Sequence, residues 1–175
     1  YKKEFNGNNN DIKEIENYIL DINSYKANID INVKSNKNEN NYKMIQEVKN
    51  NQYVKQITLE PEELKNLQIE YKDGNLEIKN TELNLSKIYK DYQYITSNEL
   101  FLTDFISNYS KSNKRKIEIK NNEVQMQFEN SNNKYSSKEI LHINSETIKP
   151  EKLEIVDKNN NSRIYILYNE IELNI

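Results

Sequence analysis

The sequence contains no cysteine, a single histidine, and only two glycines and two prolines among its 175 residues. Without cysteine the chain can form no disulfide framework, thiolate metal site or thiol nucleophile. One histidine cannot build a histidine-rich zinc site, and two glycines are too few for a phosphate-binding or dinucleotide-binding loop. The sequence therefore lacks the residues that many catalytic and cofactor-binding classes require.

His142 is the residue that a serine-type catalytic triad would have to use, but the sequence has no nucleophile-elbow motif. It stands between Leu141 and Ile143 on a predicted strand and should point away from their face. We therefore expect His142 to be a solvated or edge residue. We also expect no catalytic residue, no cofactor and no metal ion in this chain, and no enzymatic activity.

Charge is nearly balanced, with 25 basic and 28 acidic residues closely interspersed and a net charge of -3. Nucleic-acid binding would need a clustered basic face, so this balance argues against it. Mean hydropathy is -1.03, and no segment approaches the ~20 apolar residues of a membrane span. The basic run 111–116 could meet phosphates or anionic lipid headgroups, although a solvated link between two elements is the favoured interpretation.

The many carboxylates are compatible with two further kinds of site, an acid-base pair and a calcium-binding loop. Glu60, Glu62, Glu63 and Asp104 could meet in a cleft as a glycosidase-like pair, but a solvated face is the favoured interpretation. The loop 157–161 combines an aspartate with asparagines and could touch calcium. It lacks the ligand spacing and the glycine of an EF-hand.

Alternating polarity is the strongest pattern that the sequence does contain. From Tyr25 to Val33 every odd-numbered residue is apolar or small and every even-numbered one is polar, which predicts a strand with one buried face. Asparagine takes the place of glycine in the turns, because it tolerates left-handed backbone. Its clusters fall between the periodic runs, at 8–10, 36–41, 50–51, 121–122, 130–133 and 159–161.

Two helices are predicted, at 11–23 and 97–110. Asp11 with Glu14, and Thr96 with Glu99, have the spacing of a capping box, and an apolar stripe follows each pair. Strands are predicted at 25–34, 41–49, 52–60, 81–90, 115–121, 123–129, 138–144, 151–157, 162–169 and 170–175, with a helical turn at 61–64 and a hairpin over 67–78 that turns at Asp73-Gly74.

These elements predict a mainly β (α+β) fold, a curved antiparallel sheet or half-open β-barrel covered by two or three helices. We expect one domain over residues 1–175, with 1–10 as a flexible N-terminal linker. The run from Ile164 to Tyr168 is almost continuously apolar, which predicts a strand covered on both faces, with a helix over it.

Two segments carry a family resemblance. Pro150 opens a predicted strand, a polar turn follows at 157–161, and a second strand returns at 164–168. Residues 18–27 lead from a first helix into a first strand. In these two segments, and in its order of a helix, long alternating hairpins, a mid-chain helix and further strands, the sequence resembles the LolA-like lipoprotein carriers over nearly the whole chain. Its composition, rich in Lys, Asn and Ile, and its segment 21–26 are most similar to the GerS family of germination lipoproteins from spore-forming clostridia.

The GerS-family resemblance implies a non-enzymatic, lipid-anchored protein outside the cytoplasm, between the forespore and mother-cell membranes, with its anchor upstream of Tyr1. It implies a partner, a zinc-dependent N-acetylmuramoyl-L-alanine amidase of the CwlD type that modifies spore cortex before germination. The zinc would belong to that partner. In this interpretation the chain binds the amidase and activates or positions it.

The LolA-like resemblance implies an alternative, a carrier that binds lipid or lipoprotein acyl chains in the barrel cavity. Tyrosines at predicted inward positions would fill such a cavity: Tyr25, Tyr42, Tyr53 and Tyr71.

The sequence does not identify the partner-binding residues. Tyr165 and Leu167 lie out of phase with the inward positions of their strand, so they favour either a protein interface or burial beneath a helix. An open half-barrel also leaves edge strands unpaired, and these could join two copies of the chain as a homodimer.

Overall fold

The computed structural model of the protein describes residues 9–91, 100–130 and 134–175. Within these ranges the chain forms two α-helices and one eleven-stranded antiparallel sheet. The elements are α1 (Asn9–Leu20), β1 (Tyr25–Lys34), β2 (Glu39–Lys49), β3 (Tyr53–Glu60), β4 (Leu67–Lys72), β5 (Asn75–Asn80), β6 (Leu85–Tyr89), α2 (Leu102–Lys111), β7 (Arg115–Lys120), β8 (Glu123–Glu129), β9 (Lys138–Asn144), β10 (Pro150–Val156) and β11 (Ser162–Leu173), with a 3-10 turn at Glu62–Leu64. The predicted fold class, a curved antiparallel sheet with helical cover, is confirmed.

The sheet consists of two meanders that meet in its middle. Strands β1 to β6 follow one another outward on one side, and β11 to β7 do so on the other. The first and last strands join the meanders by antiparallel pairing, with Ile31 opposite Ile166. This arrangement places β6 at one edge of the sheet and β7 at the other.

Both helices lie on the same side of the sheet, which we call the core side. Ile15 and Ile19 of α1, and Phe105 and Tyr109 of α2, are fully or almost fully buried there. The strands contribute alternate side chains to the same cluster: Ile29, Ile31, Val124, Met126, Leu141 and Ile143, among others. Each large apolar side chain removed from water in this way contributes about 1.5–3 kcal/mol. No helix in the described ranges is long and apolar enough to cross a membrane.

The two ends of the sheet differ in this cover. At the covered end, β7 to β9, α1 contacts β7 and α2 contacts β8. At the exposed end, β4 to β6, every described apolar side chain keeps some exposure to solvent. The helical cover therefore protects one meander far better than the other.

The first helix begins at Asn9, two residues before its predicted start, and ends at Leu20 rather than at residue 23. Asp11 consequently lies in the first turn and does not act as the cap. Its negative charge there interacts favourably with the positive end of the helix dipole. The predicted capping pair of the second helix, Thr96 and Glu99, lies outside the described residues. Helix α2 follows an extended residue, Phe101, and ends at Lys111.

Residues 162–169 and 170–175, predicted as two strands, form one strand, β11. Tyr168 pairs with Ile29 and Glu170 pairs with Asn28, so Asn169 is an extra residue opposite the β1 ladder. Such a bulge bends and twists a strand without ending it.

The prediction that Ile164 to Tyr168 is covered on both faces is wrong. Ile166 and Tyr168 point to the core side and are buried. Tyr165 and Leu167 point to the opposite side, which we call the outer face, and Leu167 is 37% exposed. Both described helices pack on the core side because their apolar stripes face the cluster there, so they leave the outer face of β11 uncovered.

The predicted role of asparagine in the turns is confirmed for the clusters at 50–51, 121–122 and 159–161. It is wrong for residues 9–10, which lie in α1, and for residues 40–41, which lie in β2. Asn50 and Asn51, between β2 and β3, both have left-handed backbone, as do Asn121 and Asn122 between β7 and β8. Asn121 and Asn122 form a two-residue hairpin loop, and positive φ at both positions is the type I′ geometry that matches the twist of the flanking strands. Asparagine adopts that conformation at a lower cost than most residues do.

Candidate protein-binding surfaces

His142 lies on the outer face of β9, and only 6% of its surface is exposed. Its Nδ1 lies 2.5 Å from Glu123 Oε1 on β8, and its Nε2 lies 3.0 Å from Glu154 Oε1 on β10. Burial by itself would lower the pKa of His142, but the carboxylates of Glu154 and Glu123 outweigh burial and raise the pKa above its ordinary value. The expectation of a solvated or edge histidine is wrong, because carboxylates on both neighbouring strands enclose the ring.

This cluster has the properties of a structural ion-pair group. Both ring nitrogens of His142 face carboxylates, so neither nitrogen is open to a hydroxyl nucleophile as in a catalytic triad. Within the described ranges, no group of three or more His, Asp or Glu side chains could hold a metal ion. The cluster joins β8, β9 and β10 on the outer face.

Asp157 closes the turn between β10 and β11. Its carboxylate accepts backbone N–H bonds from Asn161 at 3.0 Å and Asn159 at 2.8 Å, and a bond from Arg163 Nε at 2.6 Å. The bond from the Asn161 backbone, together with those from Arg163 and Asn159, lowers the pKa of Asp157 to about 2. These donors occupy the oxygens that calcium would need, so the loop is a turn and not a calcium site.

The four carboxylates considered for a glycosidase-like cleft lie apart. Glu60 ends β3 on the outer face, where its Oε1 lies 3.3 Å from Lys43 Nζ. Glu62 and Glu63 lie in the exposed 3-10 turn. Asp104 lies in the first turn of α2 on the core side. The sheet separates Asp104 from Glu60, so these residues do not form one acid-base pair.

The basic segment 111–116 joins α2 to β7, as its interpretation as a link predicts. The Arg115 guanidinium lies over the Tyr109 ring, 5.6 Å from its centroid. Lys116 Nζ lies 2.8 Å from Glu118 Oε2. Two of the cations in this run therefore interact within the chain.

A buried polar network attaches the start of α2 to the sheet. Tyr25 Oη donates a hydrogen bond to Gln46 Oε1 at 3.0 Å and accepts one from the Leu102 backbone N–H at 3.2 Å. Gln46 Nε2 donates to the Leu100 carbonyl at 3.0 Å and to Gln56 Oε1 at 3.2 Å. No side chain caps α2 at Phe101, so this network supplies a partner that the first turn of the helix needs.

Sequence reasoning missed this network because it treated Tyr25 as a space-filling residue. A signal was present in the sequence. Gln46 and Gln56 occupy inward positions of predicted strands where an apolar residue is expected, and both are buried. Polar groups at such positions are generally hydrogen-bonded, so they point to a specific buried partner.

A cleft of about 320 Å³ opens between α2 and strands β2 to β4. Residues that line it include Val48, Val54, Tyr71, Phe101, Thr103 and Asp104. This volume lies at the lower end of the range for small-molecule sites. The cleft is the space on the core side that remains beside the packed helices.

Three of the four tyrosines predicted to point inward do so. Tyr25 is fully buried, Tyr42 packs against the core, and Tyr71 lines the cleft. Tyr53 is the exception: it lies on the outer face, with Lys49 Nζ 5.9 Å from its ring centroid. The prediction failed for Tyr53 because the next residue, Val54, pairs with the buried Val48, and this register turns Tyr53 to the opposite face.

Tyr165 and Leu167 form an apolar patch near the middle of the outer face. They line a shallow cleft of about 270 Å³, and Asp30, Lys43 and Glu60 also line it. Apolar side chains surrounded by polar ones are typical of the centre and rim of a protein interface. Of the two interpretations that the sequence left open for Tyr165 and Leu167, burial beneath a helix is wrong, and the interface interpretation stays a prediction.

The edge strand β6 is a second surface with apolar exposure. Leu85 is 63% exposed and Ile88 is 55% exposed, and Leu83 in the preceding turn is 63% exposed. All five residues of β6 are exposed. Sequence reasoning predicted a strand in this region but did not mark it as a surface, because an alternating pattern does not show whether a strand lies at an edge.

The model of the family described as sporulation protein YdcC-like matches residues 3–175 of the chain. The chain belongs to the YdcC-like sporulation protein family. No curated protein shows significant similarity to it.

Solved structures also match this YdcC-like protein over most of its length. In the structure of the CwlD amidase from Clostridioides difficile in complex with the GerS lipoprotein, the match has 27% identity and a TM-score of 0.58, and covers 98% of this chain and 99% of that chain. An uncharacterized conserved protein from Thermus thermophilus shares the fold at 8% identity, with a TM-score of 0.58 and coverage of 92% and 86%.

A LolA superfamily protein from Nitrosomonas europaea, NE2245, matches at 14% identity with a TM-score of 0.43, covering 94% of each chain. The resemblance to GerS that the sequence indicated is confirmed by the match to the GerS–CwlD complex taken together with the family.

Proposed function

We propose that this protein is a non-enzymatic partner of a cell-wall amidase of the CwlD type during sporulation. The observation that carries the proposal is the match to the GerS–CwlD complex, which extends over nearly the full length of both matched chains at 27% identity. Membership of a sporulation protein family supports the same cellular setting. The described surfaces support binding, because they offer exposed apolar groups with polar rims rather than an assembled acid-base pair.

In this proposal the amidase supplies the zinc and cleaves the N-acetylmuramoyl-L-alanine bond of cortex peptidoglycan. The chain binds the amidase and activates or positions it, so that spores acquire the modified cortex they need for germination. We also propose that the protein works outside the cytoplasm, between the forespore and mother-cell membranes, and is anchored by a lipid upstream of Tyr1.

The cleft beside α2 supports one alternative, a carrier of lipid or lipoprotein acyl chains. Its walls include Val48, Val54 and Phe101, which an acyl chain could contact. Against this alternative, Tyr25 and Tyr109 are fully buried and occupy the space between the sheet and the helices. Native mass spectrometry of the purified protein tests it: a lipid that stays bound would support a carrier, and an unliganded mass would count against one.

The direct test of the proposed function is light-scattering chromatography of the chain mixed with the CwlD-type amidase of its own organism, with zinc measured in each peak. We expect the two proteins to co-elute, and we expect more zinc per amidase than in the amidase alone. Separate elution at micromolar concentrations would overturn the proposal.

Two controls belong to the same experiment. The chain alone reports its own oligomeric state, since one copy has a mass of 21.0 kDa and a homodimer would have twice that mass. Incubation of the chain alone with muropeptides should leave them unchanged. A change in the muropeptides would show catalysis by this chain and contradict its non-enzymatic role.

A further inference from the structure

The two edges of the sheet are built differently. The edge strand β7 carries four charged side chains in six residues, Arg115, Lys116, Glu118 and Lys120, and it packs against α1. Charges on an edge strand discourage pairing with another strand. By this criterion β7 is a protected edge.

The opposite edge lacks this protection. Strand β6 carries one charged residue, Lys87, between exposed apolar residues that include Leu85 and Ile88. These two side chains point to opposite faces of the sheet, so apolar surface is available on both sides of the strand. In the described part of the chain, no strand pairs with the free edge of β6. An exposed edge of this kind offers backbone donors and acceptors to an added strand.

We propose that β6 binds an extended segment of the amidase partner, which adds to the sheet as a further strand. This inference rests on the proposed function and assigns it an interface. The backbone of β6 would supply the hydrogen bonds, and the side chains on its two faces would supply the specificity.

Charge favours a foreign strand over a second copy of β6. In a symmetric antiparallel pairing that uses all five residues, Leu85 would lie opposite Tyr89 and the central Lys87 would lie opposite itself. Like charges directly opposite each other destabilise a strand pair. The Lys87 side chain has no carboxylate within ion-pair distance among the described residues, and its Nζ lies 4.9 Å from the Tyr89 ring centroid.

The chemistry of the bound segment follows from these positions. Leu85, Lys87 and Tyr89 alternate with Ser86 and Ile88, so they share one face of the sheet. A complementary strand would place an acidic residue opposite Lys87 and apolar residues two positions away on either side. The partner segment should therefore have an apolar–x–acidic–x–apolar pattern.

The test compares variants at the two edges by titration of the chain with the amidase. Lys87→Glu and Ile88→Lys should each weaken binding on the order of tenfold. Lys87→Glu would place a glutamate opposite the acidic residue of the partner, and Ile88→Lys would put a charge on the apolar face of the strand. Lys120→Glu, a matched charge reversal at the protected edge, should leave the affinity unchanged. All three side chains are exposed, and thermal unfolding of each variant checks that the fold is intact.

Hydrogen exchange gives a second measurement that does not depend on variants. Amides of residues 85–89 should exchange more slowly in the complex, while those of 115–120 should not change. If the wild-type chain fails to bind the amidase, the proposed function and this inference are both overturned. If the wild type binds but the β6 variants bind equally well, or the Lys120→Glu variant weakens binding as much as they do, only the inference is overturned.

Discussion

The covered and exposed ends of the sheet use similar hairpins for different purposes. At the covered end, Val124, Met126, Leu141 and Ile143 have essentially no exposure, and the two helices pack beside them. At the exposed end, the same alternation of strands presents apolar residues that keep contact with water. The difference teaches that hydrophobic periodicity predicts which residues share a face, while a covering element decides whether that face stabilises the fold or remains open to a partner.

A matched pair of substitutions tests this difference most strongly. Leu141→Ala on β9 should lower the free energy of unfolding by about 2–5 kcal/mol, because it leaves a cavity in the core. Leu76→Ala on β5 should cost about 1 kcal/mol or less, because Leu76 keeps some exposure and its site is open to water. Urea unfolding of the two variants and the wild type measures both values. Equal losses would show that the exposed end also contributes to the main core, and the comparison would fail.

The buried network between the sheet and α2 provides the next test. Tyr25→Phe removes the hydroxyl that binds Gln46 and the Leu102 N–H, and should destabilise the fold by about 1–3 kcal/mol. Tyr135→Phe is the control. Tyr135 is 69% exposed, so this substitution should change the free energy of unfolding by no more than about 0.5 kcal/mol. Urea unfolding measures both variants. A Tyr25→Phe variant as stable as the control would mean that the network does not hold the helix to the sheet.

Much of this architecture could be predicted from the sequence because it depends on local patterns. The alternation from Tyr25 to Val33 and the asparagine turns at 50–51 and 121–122 all act within one strand or hairpin. The strand bounds 25–34, 123–129 and 138–144 agree with the structure for the same reason.

The parts that could not be predicted depend on contacts between distant segments. The Tyr25 hydroxyl meets Leu102, which is 77 residues away, and no periodicity records that pairing. His142 is enclosed by carboxylates from β8 and β10, so its burial follows from strand order rather than from its own flanks. The absence of a helix over Leu167 is likewise a property of where the two described helices pack.

The left-handed asparagines test whether the turns behave alike at the two ends. Asn122→Ala at the covered end and Asn84→Ala at the exposed end should each cost about 1 kcal/mol, because alanine tolerates positive φ poorly. Glycine at either position should be close to neutral, since it adopts this conformation without strain. Thermal unfolding measures the four variants. The cost is local, so a loss confined to Asn122→Ala would show that the turn at Asn84 relaxes because its strands are uncovered.

The smallest expected effect comes from two ion clusters on the outer face, one at each end. At the covered end, burial would lower the pKa of His142, but Glu154 and Glu123 raise it above the unfolded value of about 6.5. The stabilisation is therefore full below that value and is lost as pH rises through the higher folded pKa. At the exposed end, the hydrogen bond with Glu77 raises the pKa of Lys79, which remains charged throughout the neutral range.

The Tm difference between wild type and His142→Gln should therefore shrink as pH is raised from about 5.5 to about 8.5. We expect the change to stay below about 1 kcal/mol, because the glutamates are partly exposed. The difference for Lys79→Gln should stay constant over the same range. The glutamate contributions are lost only as pH falls through their lowered pKa values, so they do not enter this window. A pH-independent difference for His142→Gln would mean that the imidazole is held by packing rather than by its charge.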